Sequence, residues 1–199
     1  MTTTPLLIEL PDELQGERVL VRPYGQEDAA ALLEAIEESR AHLAPWLPWV
    51  HGHRSLDDSR TFIRRAQAHW LLREDLPVGI FDLATGRLLG GSGLHRIEWE
   101  LRRFEIGYWL RATAQGHGYM QEVVRLLTSL AFNGLQANRV QIQIDPRNRR
   151  SQQVAERLGY TLEGTLRRCA PGEAGLLTDR HMYALIPEDY VRLNWARAR

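Results

Sequence analysis

The sequence predicts one α/β (α+β) domain built on a mixed, mostly antiparallel central sheet of about seven strands flanked by helices. Three observations point there. Strand-like runs near Pro77–Leu83, Leu88–Ile97 and Leu101–Leu110 follow one another closely, the first two joined by Ala84-Thr85-Gly86, as antiparallel hairpins do. A glycine-bearing turn, Gln115-Gly116-His117-Gly118-Tyr119-Met120, then connects the last run to a helical segment beginning near Gln121. Beyond that helix Val140, Ile142 and Ile144 alternate with Gln141, Gln143 and Asp145, so a strand returns and the crossover should be right-handed.

The remaining elements follow in chain order. Glu17–Tyr24 reads as a strand, and Gln26–Arg40 as an amphipathic helix with Ala29, Leu32, Leu33 and Ile36 on one face. Ser55 or Asp57 can cap a second helix running to about Arg73. After the crossover, Asn148-Arg149-Arg150-Ser151 opens a helix that stops at Leu158-Gly159-Tyr160. Tyr160–Arg167 and Arg180–Pro187 supply two last strands, and Glu188–Arg199 a short terminal helix. With 199 residues, 44% of them hydrophobic, the chain can fill one sizeable core, and residues 1–199 read as a single domain.

Composition narrows the chemistry. The 25 acidic and 25 basic residues balance, so no global field draws the chain to nucleic acid or an anionic membrane. Every one of those basic residues is arginine. The lack of lysine excludes a Walker-type phosphate loop and Schiff-base catalysis, both of which need that amine. Cys169 is the sole cysteine, which forbids an intrachain disulfide and makes a reducing cytoplasm the expected compartment. Met1-Thr2-Thr3-Thr4-Pro5 lacks the pattern of a leader, and no apolar run approaches the roughly 20 residues a membrane span needs. His51 and His53 have no clear third ligand beside them, so no metal is expected.

The glycine turn carries the most chemical information. Gly116 and Gly118 let backbone N–H groups approach a ligand closely, and the following helix aims its unpaired N–H groups and positive dipole end at the same point. A phosphorylated cofactor fits such a junction; an ordinary tight turn is the alternative. The order of strand, glycine turn, helix, strand, Asn148-x-x-Ser151 and Gly159-Tyr160 resembles the core of the GNAT N-acetyltransferases. The likeness is closest to the ribosomal-protein N-terminal acetyltransferase (RimJ/RimL-like) branch. It extends through Arg18–Pro23, Trp46-Leu47-Pro48-Trp49, Glu105–Leu110 and Leu162–Arg167.

This resemblance implies acetyl-CoA as co-substrate, a parallel strand pair splayed around it, and binding by Leu110, Gln115, Gly116, His117, Gly118, Tyr119, Met120, Asn148 and Ser151. It also admits a homodimer. Asn148 is read either as a pantetheine contact or as a helix N-cap, and Ser151 either as a first-turn residue or as the acid that protonates the leaving thiolate. Many family members carry a tyrosine acid where this chain has Ala155, which moves that role toward Ser151 or a water it holds. Thr113 is a second departure, standing where arginine or glutamine often heads the glycine motif; the backbone amides make it tolerable.

On the acceptor side, Glu105 alternates with Phe104 and Ile106, so it faces away from them and could relay the amine proton through water; Glu163 is the rival base. Each could equally be a structural carboxylate. His95 could assist the proton or simply pack, and Trp46 and Trp49 either wall an acceptor groove or staple their loop to the sheet. Arg54, Arg64 and Arg65 could orient an acidic acceptor or form a helix's wet face. The expected reaction is direct attack of a primary amine on acetyl-CoA, most readily a protein N-terminal α-amine. Its ordinary pKa near 8 leaves roughly a tenth of it neutral at pH 7. A small amine such as an antibiotic, polyamine or amino acid, or a CoA-binding protein without turnover, are the alternatives.

Overall fold

The computed structural model describes residues 4–172 and 175–196. Eight strands among them form one sheet: β1 (Leu14–Gln15), β2 (Val19–Arg22), β3 (Leu76–Asp82), β4 (Leu88–Glu98), β5 (Arg103–Leu110), β6 (Arg139–Ile144), β7 (Thr161–Pro171) and β8 (Leu177–Leu185). Their order is β1-β2-β3-β4-β5-β6-β8-β7. Only β5 and β6 run parallel; the other pairs are antiparallel. The strand beyond the expected seven is β1, whose two residues are too few to show an alternation in sequence.

Helices cover both faces. α1 (Ala29–Leu43) and α2 (Leu56–Leu72) pack on one, burying Leu32, Ile36, Leu43 and Ile63 against Tyr24, Phe81 and Leu88. α3 (Tyr119–Ser129), extended by a π-helical turn over Leu130–Gly134, and α4 (Arg149–Arg157) cover the other. There Val123, Val124, Leu127, Ala155 and Leu158 meet the inward set Val19, Val21, Val78, Ile80, Phe104, Ile106, Val140, Ile142 and Ile144. Each large apolar side chain so buried contributes about 1.5–3 kcal/mol relative to exposure. The strict alternation of β6 is therefore the reason it lies where it does: its isoleucines face α3 and its glutamines face the opposite side.

Local chemistry sets the helix starts. Ser55 accepts from the Asp58 amide at 3.1 Å while Asp58 accepts from the Ser55 amide at 2.8 Å, a reciprocal cap opening α2. α1 begins later than the periodicity suggests because Asp28, holding Gly25 N–H at 2.8 Å and paired with Arg22, turns residues 26–28 into a 3-10 segment. The expected terminal helix shrinks to α5 (Pro187–Tyr190) and a 3-10 turn at Asn194–Ala196; residues 197–199 lie outside the described residues. The chain bends there because Tyr190 stacks on Phe132 at 4.5 Å and Trp195 folds back onto Tyr190 at 5.7 Å. Among the described residues no helix is long and apolar enough to cross a membrane.

Candidate active site

The parallel ladder is short, and that creates an opening. β5 and β6 pair only from Arg103 to Glu105 and from Arg139 to Gln141, after which β5 runs on to Leu110 and β6 to Ile144 without pairing. The two strands frame a slot beyond that ladder.

At the end of β5 stands the glycine turn. Gly116 and Gly118 both have φ of 80°, a left-handed backbone that glycine takes at no cost and other residues rarely adopt. Among the described residues none accepts from the backbone N–H groups of Gly116, His117, Gly118, Tyr119 or Met120. The turn is held from behind: Arg18 Nη1 donates to the His117 carbonyl at 2.7 Å, and Glu122 accepts from the Arg18 amide at 2.8 Å. Five unsatisfied donors at the start of an 11-residue helix fit a diphosphate. Gln115 is tied to Arg150 of α4, so the turn and α4 frame the same space.

On the α4 side of the slot, Asn148 caps its helix, its Oδ1 accepting from the Ser151 amide at 3.1 Å. The cap leaves the carboxamide's N–H donors unused by that bond. Ser151 Oγ lies 2.8 Å from the hydroxyl of Tyr108, a β5 residue that burial keeps protonated well above the ordinary phenol range. Ala155, by contrast, is fully buried in the core. Sequence reasoning did not bring Tyr108 to Ser151. Its two-residue offset from Ile106 put it on the inward face, where an aromatic reads as core.

The opposite face holds the acceptor-side candidates. Glu105 is largely buried, and one carboxylate oxygen accepts from Gln141 Nε2 at 3.1 Å and Gln143 Nε2 at 2.9 Å; the other lies 3.6 Å from Arg96 Nε. His95, its ladder partner on β4, is paired with Asp75 at 2.8 Å. Gly91, Gly93 and Gly107 floor this surface, with Trp109 and Tyr24 over Gly91 and the His95 ring over the other two. Trp49 packs edge-on against Trp109 at 6.1 Å, and Trp46 sits with Arg147 over its ring at 5.8 Å, so the α1–α2 loop reaches the mouth of the slot. Glu163 stands apart. It lies on the exposed strand β7 and forms a two-pronged pair with Arg139 at 2.8 and 2.5 Å, whose hydrogen bonds and charge hold its carboxyl below the usual range.

His51 and His53 do not converge: His53 is buried and bonded to Ser59 at 2.7 Å. Among the described residues no group of three or more His, Cys, Asp or Glu side chains is placed to hold a metal ion.

Comparison with known proteins decides the family. The model of the acetyltransferase (GNAT) domain matches residues 18–161. The chain belongs to the GNAT acetyltransferases. YdaF of Bacillus subtilis (strain 168), provisionally named a ribosomal N-acetyltransferase, is 32% identical over 76% of this chain and 82% of its own length. The ribosomal-protein-serine acetyltransferase of Escherichia coli (strain K12) is 28% identical over 76% and 84%. Among solved structures, a ribosomal L7/L12 alpha-N-protein acetyltransferase in complex with coenzyme A superposes with a TM-score of 0.79 at 26% identity, covering 86% of this chain and 95% of that one. As a GNAT enzyme of this branch the protein uses acetyl-CoA, and the orphaned amides of residues 116–120 beside a splayed strand pair are what such a donor requires.

Proposed function

We propose that this N-acetyltransferase acetylates the N-terminal α-amine of a protein. The observation that carries the reading is the acceptor face itself: Gly91, Gly93 and Gly107 let the rings of Trp109, Tyr24 and His95 lie close on the sheet, and with Trp49 these rings form a flat aromatic surface that suits an extended backbone. The names of the relatives, two of which describe ribosomal-protein acetylation, support the same acceptor class. In this reading residues 115–120 hold the diphosphate, Leu110 and Asn148 line the pantetheine, and backbone N–H groups of β5 beyond the ladder bind the acetyl oxygen.

The chemistry divides between the two faces. Ser151, backed by the neutral Tyr108 hydroxyl, donates the proton that the leaving thiolate needs. Glu105, one oxygen held by the Gln141 and Gln143 amides, presents its carboxylate to the cationic amine and draws it to this face. Incubating the enzyme with acetyl-CoA and a library of peptides, with mass-spectrometric readout, tests the acceptor. Acetylation confined to free peptide N-termini supports it; acetylation of polyamines or antibiotics with no peptide product overturns it.

A further inference from the structure

We infer that His95, oriented by Asp75, is the group that takes the proton from the attacking amine. Asp75 lies in the connection between α2 and β3, and its Oδ1 is 2.8 Å from His95 Nδ1. A carboxylate can only accept, so that bond places a proton on Nδ1, and the neutral form of the ring then carries its lone pair on Nε2. The free nitrogen lies over the paired glycines of β4 and β5: a Cβ built on Gly93 would lie 2.9 Å from His95 Nε2, and one on Gly107 would lie 3.5 Å from it. Gly107 is the second β5 residue past the last ladder pair with β6, so Nε2 sits over the strand that borders the slot at the level where the slot opens. Two glycines facing each other across β4 and β5 are what let the ring lie flat there.

The neighbours favour His95 over Glu105. The groups packed around the imidazole are Asp75, its cross-strand partner Glu105, and Arg96 beside it, whose guanidinium faces Glu105. Glu105 has one oxygen filled by two amide donors and the other facing Arg96, whereas His95 has one nitrogen bonded and one nitrogen open. In the transfer the amine nitrogen forms its bond to the acetyl carbon as the carbon–sulfur bond breaks. The amine proton passes to His95 Nε2, and the sulfur takes a proton from the Ser151 hydroxyl. His95 then releases its proton to water and Ser151 regains one, so the cycle closes with an amide and a free thiol. Asp75 is a positioning residue, acting through the ring it holds.

The inference rests on acetyl transfer in this cleft and not on which amine accepts. His95→Ala should lower kcat by about 100-fold, the usual scale of a general base, while the calorimetric Kd for acetyl-CoA stays unchanged. Added imidazole should restore part of that kcat. Asp75→Asn should lower kcat by a smaller factor. The ring 15N shifts of His95 should report the Nδ1–H tautomer in the native enzyme and its loss in Asp75→Asn. Full kcat in a folded His95→Ala enzyme, a loss that imidazole does not relieve, or an Nε2–H tautomer in the native protein would each overturn the assignment. Thiol release should be followed with both a peptide bearing a free N-terminus and spermidine. An enzyme active on spermidine alone sinks the peptide reading and leaves His95 to be judged on spermidine.

Discussion

Replacing Gly116 by valine separates the geometry of the cofactor turn from its stability. Gly116 has φ of 80°, and no atom lies within 4 Å of a Cβ built there, so the only penalty at that atom is the left-handed backbone. That penalty is about 1–2 kcal/mol for a residue with a Cβ, and a β-branched side chain tolerates the conformation least. The turn relieves it by rotating the peptide groups on either side, which takes at least one N–H away from the diphosphate. A charge-assisted hydrogen bond is worth about 1.5–3 kcal/mol, so Kd for acetyl-CoA should weaken by about 10- to 150-fold. Gly86 offers a matched control: φ of 71°, nothing within 4 Å, and a place in the turn between β3 and β4. Gly86→Val should lose similar stability in denaturant titration and keep its calorimetric Kd. Equal affinity in the two folded variants would refute the assignment of the turn to the diphosphate.

Three further outcomes follow from the same geometry. Tyr108→Phe should lower kcat several-fold with acetyl-CoA affinity unchanged, because Ser151 loses the hydroxyl 2.8 Å away; an unaltered kcat would remove the relay. Trp49 is 45% exposed, so Trp49→Ala should cost little stability yet raise KM for a peptide acceptor well above any change for acetyl-CoA, and equal shifts in both would count against the groove. Burial pushes the Asp145 carboxyl up, but hydrogen bonds from Arg147 and the charges of Arg147 and Arg180 outweigh it and hold the group below its usual range. A depressed carboxyl stabilises the fold above its unfolded pKa and loses that contribution as pH falls through the folded value. The thermal-stability gap between native enzyme and Asp145→Asn should therefore narrow from about pH 5 downward; a gap constant with pH would contradict it.

Much of this was legible in the chain because the signals are local. The alternation of Val140, Ile142 and Ile144 fixes which side of β6 meets a helix, and Ser55 three residues before Asp58 fixes where α2 begins. The positive φ of Gly116 and Gly118 was implied by glycine at both positions between a strand and a helix. Asn148 three residues before Ser151 announced a cap, and the cap is there. The bend that ends the last helix early had no local mark, since it depends on Tyr190 meeting Phe132, 58 residues away in the chain.

The sequence by itself determined the order of elements, the glycine turn between β5 and α3 and the exclusion of lysine chemistry, because periodicity, glycine conformation and residue identity act within a few neighbours. Tertiary structure alone decided which polar groups meet. Tyr108 and Ser151 are 43 residues apart, Asp75 and His95 are 20, and Glu105 meets glutamines 36 and 38 positions away. Hydrogen bonds reach only about 3 Å, so such partnerships depend on strand register and on the angle at which helices land on the sheet. Those are properties of the packed core as a whole, set by the burial of Phe104, Ile106 and Ile142 and written at no single position of the chain.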